Sequence, residues 1–157
     1  MITLEQVREF FRAAPFMVDL GVEPIAFEPG RLSTSLLIQP RHLQHTGFVH
    51  AGVSAAMADH TMGAAAQTLA APGHWALTAD LRTSLLRAAQ GERLLCEARV
   101  LKAGRTLSFT EAEVYVEHGG RRTLVMKASA TMALASHVRA VAPPSPAADP
   151  AATRTGG

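Results

Sequence analysis

From His50 to Ala70 the chain carries no proline and is rich in alanine, while β-like segments lie on both sides of it. A run of this kind predicts one long helix of about 20 residues, and so about 30 Å. Pro72-Gly73 then stops it. A single long helix among many strands has one economical solution. A sheet must wrap it and bury it on a concave face.

The flanking segments supply that sheet. Leu20 to Ile38 reads as two strands around a turn at Glu28-Pro29-Gly30. After the helix come four strand candidates, Trp75 to Leu86, Arg93 to Leu101, Thr106 to Glu117 and Arg121 to Leu134. Their separators, Ala89-Gln90-Gly91, Lys102-Ala103-Gly104 and His118-Gly119-Gly120, read as short turns, which implies antiparallel neighbours. Ahead of all this, Thr3 to Ala14 places Leu4, Val7, Phe10 and Phe11 on one helical face, with Thr3 as N-cap and Pro15 as the stop. Arg41 to Val49 has no period and reads as a loop. The class is therefore α+β, one antiparallel sheet around one main helix. It forms a single domain over residues 1–139, and the Pro- and Ala-rich residues 140–157 are expected to be a disordered tail.

Composition removes whole classes of function. Lys plus Arg is 15 against 13 for Asp plus Glu, a formal charge of +2, and the cations are scattered. Nucleic-acid phosphates need clustered cations, and only 5% of residues are aromatic, too few for a base-stacking surface. No apolar run reaches the roughly 18 residues of a membrane span. The first residues lack the pattern of a signal peptide, so a cytoplasmic location is expected. The lone Cys96 can form no internal disulfide and reads as a small core residue. His42, His45 and His50 share a loop, but no Asp, Glu or Cys cluster completes a ligand set, so neither metal nor cofactor is expected.

Asp59 stands out within the helix. Its neighbours one and two turns away are Gly52, Ala55, Ala56, Gly63 and Ala66, the smallest-residue face. Small faces let another backbone or a ligand come close. A carboxylate there either has a partner or is functional, because burying it unpaired is costly. Ser54, Thr61 and Thr68 form a separate polar stripe, and without a GxSxG motif a Ser-His-Asp triad finds no support. His50-Ala51-Gly52 opens the helix. The first N–H groups of a helix have no internal partner, so they can polarise a carbonyl or hold an oxyanion.

Gln44 to Ala65, QHTGFVHAGVSAAMADHTMGAA, resembles the hotdog-fold thioesterases of the phenylacetic-acid-degradation (PaaI-like) group. Their pattern is an amide residue, then Gly-x-x-His-Gly-Gly, then an acid on the helix. The resemblance extends over about residues 10 to 135. It implies a hotdog fold, a homodimer that pairs again into a dimer of dimers, and hydrolysis of an aryl- or medium-chain acyl-CoA to free acid and CoA. On this resemblance Asp59 matches the catalytic carboxylate, contributed across the dimer. Ala51, with Gly52 beside it, matches the oxyanion-hole position, Gln44 the amide that places the thioester or the water, and Thr78 a hydroxyl position. His50 belongs to the substrate-binding set. Ala51 stands where the family has glycine, keeping the N–H but adding a methyl. Gly63 stands where some members have threonine. Asp59 is open to two roles, general base or nucleophile. The competing readings are a non-catalytic acyl-CoA-binding hotdog protein and a hotdog dehydratase. Cations near strand ends, Arg82, Arg87, Lys102, Arg105, Arg121 and Arg122, are candidates for the CoA phosphates, and Phe48, Met57, Met62 and Trp75 for the acyl pocket wall.

Overall fold

The computed structural model describes residues 2–139 and 141–142. Apart from residues 141–142, the expected tail lies outside the described residues. The chain begins with α1 (Leu4–Arg12), where Thr3 and Gln6 cap each other reciprocally: Thr3 Oγ1 accepts from Gln6 N, and Gln6 Oε1 accepts from Thr3 N at 2.9 Å. Pro15 was expected only to end this helix. It also opens a second one, α2 (Pro15–Leu20), because its fixed φ and missing N–H suit the first helical position. Gly21, at φ +79°, closes α2 in the left-handed region.

Six strands follow the expected outline: β1 (Val22–Glu28), β2 (Arg31–Leu37), β3 (His74–Leu85), β4 (Arg93–Ala103), β5 (Leu107–His118) and β6 (Arg121–Ser136). They form one antiparallel sheet in the order β1-β2-β4-β5-β6-β3. One expected neighbour pair is absent. Ala89-Gln90-Gly91 does not join β3 to β4 as a hairpin, since β3 pairs with β6 and β4 lies between β2 and β5. Residues 86–92 instead run across the end of the sheet, tied down strand by strand. Leu86 N–H donates to Val125 O, and Glu92 N–H to Glu117 O. Ala89 O accepts from Val49 N–H, and Glu92 O from Ile38 N–H. Gly91 permits the crossing, because a Cβ there would lie 2.5 Å from the Glu117 carbonyl oxygen.

The central helix is α3 (Ala51–Gln67). Val53, Met57, Ala58, Met62, Ala65 and Ala66 bury against Leu32, Leu36, Leu94, Val114, Met126 and Met132 of the sheet. The polar stripe faces inward too. Thr61 Oγ1 donates to Met57 O at 2.6 Å, so the 2.9 Å bond to Thr34 has the Thr34 hydroxyl as donor. Cys96 is wholly buried there, and burial pushes its thiol up to about 12. The small-residue face is less covered: Ala51 and Gly52 are exposed and Ala55, Ala56, Asp59 and Gly63 half-buried, while Ala66, at its far end, is buried. No helix among the described residues is long and apolar enough to cross a membrane.

Candidate active site

Two groups of polar atoms lie along α3. The first is at its N-terminus. His50 is the N-cap, with its backbone N–H donating to His42 O at 2.8 Å. Its Nδ1 accepts the Gly52 N–H at 2.9 Å. Gly52 leaves room for the ring, since a Cβ there would come within 3.0 Å of Nδ1. The Gly52 donor is thus occupied, whereas the Ala51 N–H has no partner among the described residues. At the positive end of a helix, a donor without a partner suits an oxyanion.

The preceding loop is organised around His42, which is buried and accepts the Gln39 N–H at Nδ1. Desolvation depresses its pKa. Beyond it, the Gln44 N–H donates to Phe48 O at 2.8 Å and the Gly47 N–H to Gln44 O at 2.9 Å, with Gly47 at φ +85°. This tight turn presents Gln44 to a cleft of about 360 Å³ that also contains Phe48, Ala51, Leu86, Arg87 and Val125.

The second group lies two turns along the helix. Thr78 Oγ1 donates to Asp59 Oδ1 at 2.7 Å. The β3 register shifts just after Thr78, between it and Asp80. Beside Asp59, His60 lies between Phe10, stacked at 5.5 Å, and Phe11, edge-on at 4.5 Å. Its Nε2 is buried without a partner among the described residues, and desolvation lowers its pKa against the opposing pull of Asp59. Eight residues separate Ala51 from Asp59, about 12 Å along the axis, so the two groups do not converge within one chain.

The six candidate cations do not form one cluster. Arg87 lines the cleft, its Nη1 donating to Leu124 O at 3.0 Å. Arg82 pairs with Asp80 on β3. Arg122 pairs with Glu97 and lies 3.8 Å over the Tyr115 ring, next to Arg121 at the β5–β6 turn. Lys102 and Arg105 sit at the β4–β5 turn, at the far end of the sheet near the C-terminus of α3. Of the proposed pocket residues, Met57 and Met62 are core, Phe48 lines the cleft, and Trp75 stacks on Phe10. Sequence reasoning passed over Thr46, which bonds Gln44, and His60. The signals were present, two residues after Gln44 and one after Asp59, but both positions lack any pattern of their own.

A model of the thioesterase superfamily matches residues 46–123. A thioesterase family protein from Silicibacter pomeroyi has a crystal structure that superposes with a TM-score of 0.79. It is 31% identical, over 82% of this chain and 94% of that one. The chain belongs to the thioesterase superfamily. The sheet wrapped around one long helix is its hotdog fold. Human acyl-coenzyme A thioesterase 13 is 27% identical over 114 residues, 70% of this chain and 79% of its own length. A phenylacetic acid degradation-related protein from Ralstonia eutropha is 25% identical with a TM-score of 0.70, over 81% of this chain and 98% of that one. The match to the superfamily model begins at Thr46 and includes Ala51, Asp59, Thr78 and Arg87; Gln44 lies just ahead of it.

Proposed function

We propose that this thioesterase hydrolyses an acyl-CoA, with an aryl or medium-chain acyl group, in active sites shared between two copies of the chain. The observation that carries this is the separation of the two polar groups on α3. One offers an unpartnered N–H beside an amide. The other offers a carboxylate with one oxygen already bonded by a hydroxyl. A two-fold pairing that runs two α3 helices antiparallel brings Ala51 and Gln44 of one copy to Asp59 and Thr78 of the other.

In such a site the thioester oxygen accepts the Ala51 N–H, with the Gln44 amide alongside. Charge on that oxygen grows in the transition state, so these donors act more strongly there than on the bound substrate. Thr78 holds Asp59 Oδ1 and leaves Oδ2 for chemistry. As a base, Asp59 takes a proton from water, the oxygen attacks the carbonyl carbon, the C–S bond breaks, and the CoA sulfur takes up the proton. As a nucleophile, the carboxylate attacks the carbonyl carbon, the C–S bond breaks and the CoA thiolate leaves to take a proton from solvent, and water then opens the anhydride to free acid and the Asp59 carboxylate. Arg87, anchored at the mouth of the cleft, is the best placed of the six cations to meet the anionic CoA. A single domain over residues 1–139, a dimer of dimers and a cytoplasmic location complete the reading. The one buried thiol is compatible with a reducing compartment.

Asp59→Asn should cut kcat about 10²–10⁴-fold without loss of fold. Gln44→Ala should also be impaired. An equal mixture of the two, unfolded and refolded together, should recover about a quarter of wild-type sites, because half the dimers carry one intact site. Wild-type kcat/KM in Asp59→Asn refutes the carboxylate's role, and no recovery on mixing refutes the shared site.

A further inference from the structure

The turn that carries Gln44 also carries the group that orients it. Gln44 Nε2 donates to Thr46 Oγ1 at 2.8 Å. The backbone between them is held on both sides, by Gln44 N–H to Phe48 O and by Gly47 N–H to Gln44 O. Thr46 itself is exposed and Gln44 half-buried at the edge of the cleft, so the threonine is not part of the core. We propose that Thr46 is a positioning residue for the thioesterase reaction, holding the Gln44 amide towards the cleft that contains the Ala51 N–H. This rests on the role given to Gln44 above.

The physical reason is entropic and geometric. A glutamine side chain turns about three single bonds, and an amide free to sample them must be ordered again in each transition state. One hydrogen bond from a rigid turn removes much of that freedom beforehand. A hydroxyl suits the task because it both accepts and donates. With Nε2 towards Thr46, the amide oxygen is available to a water. With the amide turned over, Thr46 donates to Oε1, and Nε2 is available to the thioester oxygen. Threonine therefore sets the position of the amide in either arrangement. Valine has the same shape and does neither, and serine keeps the hydroxyl.

The test is a mutant cycle on the full chain, with kcat and KM measured on the best acyl-CoA for Thr46→Val, Thr46→Ser, Gln44→Ala and the Gln44→Ala/Thr46→Val pair. Thr46→Val should lower kcat about five- to tenfold, the value of one hydrogen bond, with KM nearly unchanged. Thr46→Ser should restore most of it. In the Gln44→Ala background, Thr46→Val should cost nothing further, because the group it positions is gone. A purely structural threonine would cost the same in both backgrounds, and that result overturns the proposal. So does full activity in Thr46→Val while Gln44→Ala is impaired. If Gln44→Ala itself keeps wild-type activity, the role of Gln44 falls and this inference with it, and Asp59→Asn reports separately on the rest of the site.

Discussion

The sheet has two edges, and they are built in opposite ways. β1 is seven residues long, carries Pro24, changes register between Pro24 and Ala26, and has α1 packed against it. β3 shares a register shift, between Thr78 and Asp80, but is twelve residues long and has no proline. It leaves Leu77, Leu81 and Leu85 exposed at 46%, 38% and 59%. Short strands, proline, bulges and a covering helix are how proteins blunt an edge, and a long apolar edge invites another strand. The open edge is also the one that carries Thr78, the partner of Asp59. One edge is finished within the chain, whereas the other, beside the candidate carboxylate, is left open, and the proposed shared site would use it.

The sharpest way to break this comparison is to place the same charge on both edges. Leu81→Lys should dissociate the assembly to monomers in sedimentation and reduce turnover by about 100-fold or more, because each site then lacks half its groups. Ile25→Lys on β1, at a residue exposed to a similar degree, should leave both unchanged. An active monomer in the first variant would show that the open edge is not where copies meet.

A second change turns the closed edge towards the open kind. Phe11 is the buried anchor of α1 and packs edge-on to His60. Phe11→Ala should cost about 3–5 kcal/mol in chemical denaturation. With α1 loosened, the β1 edge should become a site of aggregation that the wild type lacks. A loss below about 1 kcal/mol would mean that α1 is not what secures that side.

Acid should loosen the same cover to a smaller degree. The pKa of His60 is depressed by desolvation in its aromatic slot, and that of His42 for the same reason. The unfolded chain takes up these protons near the ordinary value of 6.5, while the folded chain resists until lower pH. The unfolded state then binds more protons, so stability falls as pH drops below about 6.5 and levels off below the folded values. Glu5 and Glu113, whose pKa values are lowered by their cationic partners, add a separate loss below 4.5. His60→Leu should remove part of the Tm slope between pH 6.5 and 5, leaving the share of His42. An unchanged slope would place the acid sensitivity elsewhere.

The smallest effect is expected from deleting residues 143–157. β6 ends beside the start of β3, with Ser136 opposite His74. Residues 143–157 contain no large apolar residue to bury. The oligomeric state, Tm and turnover should hold on truncation, and a lower Tm would show that these residues contribute to the fold.

Hairpins β1–β2, β4–β5 and β5–β6 were legible because alternation and turn residues act over a few neighbouring positions. The Glu28-Pro29-Gly30, Gly104 and Gly119-Gly120 turns each joined the strands expected. The residues of the candidate site were legible for a related reason. Ala51, Gly52 and Asp59 belong to one helix, so their spacing along it is local, and the resemblance covered Gln44 and Thr78. Proline and turn chemistry misled where a residue has two uses, as Pro15 does in ending one helix and beginning the next.

What the residues determined by themselves was thus the set of elements and the groups carried on α3. Strand order needed the folded structure, because β3 finds β6 across some forty residues of intervening chain and no short-range pattern encodes that choice. The orientation of α3 needed it as well. A helix of alanine, glycine, methionine and threonine has little contrast between its faces. The sheet decided by offering Thr34 to Thr61 and leaving the face with Asp59 turned outward.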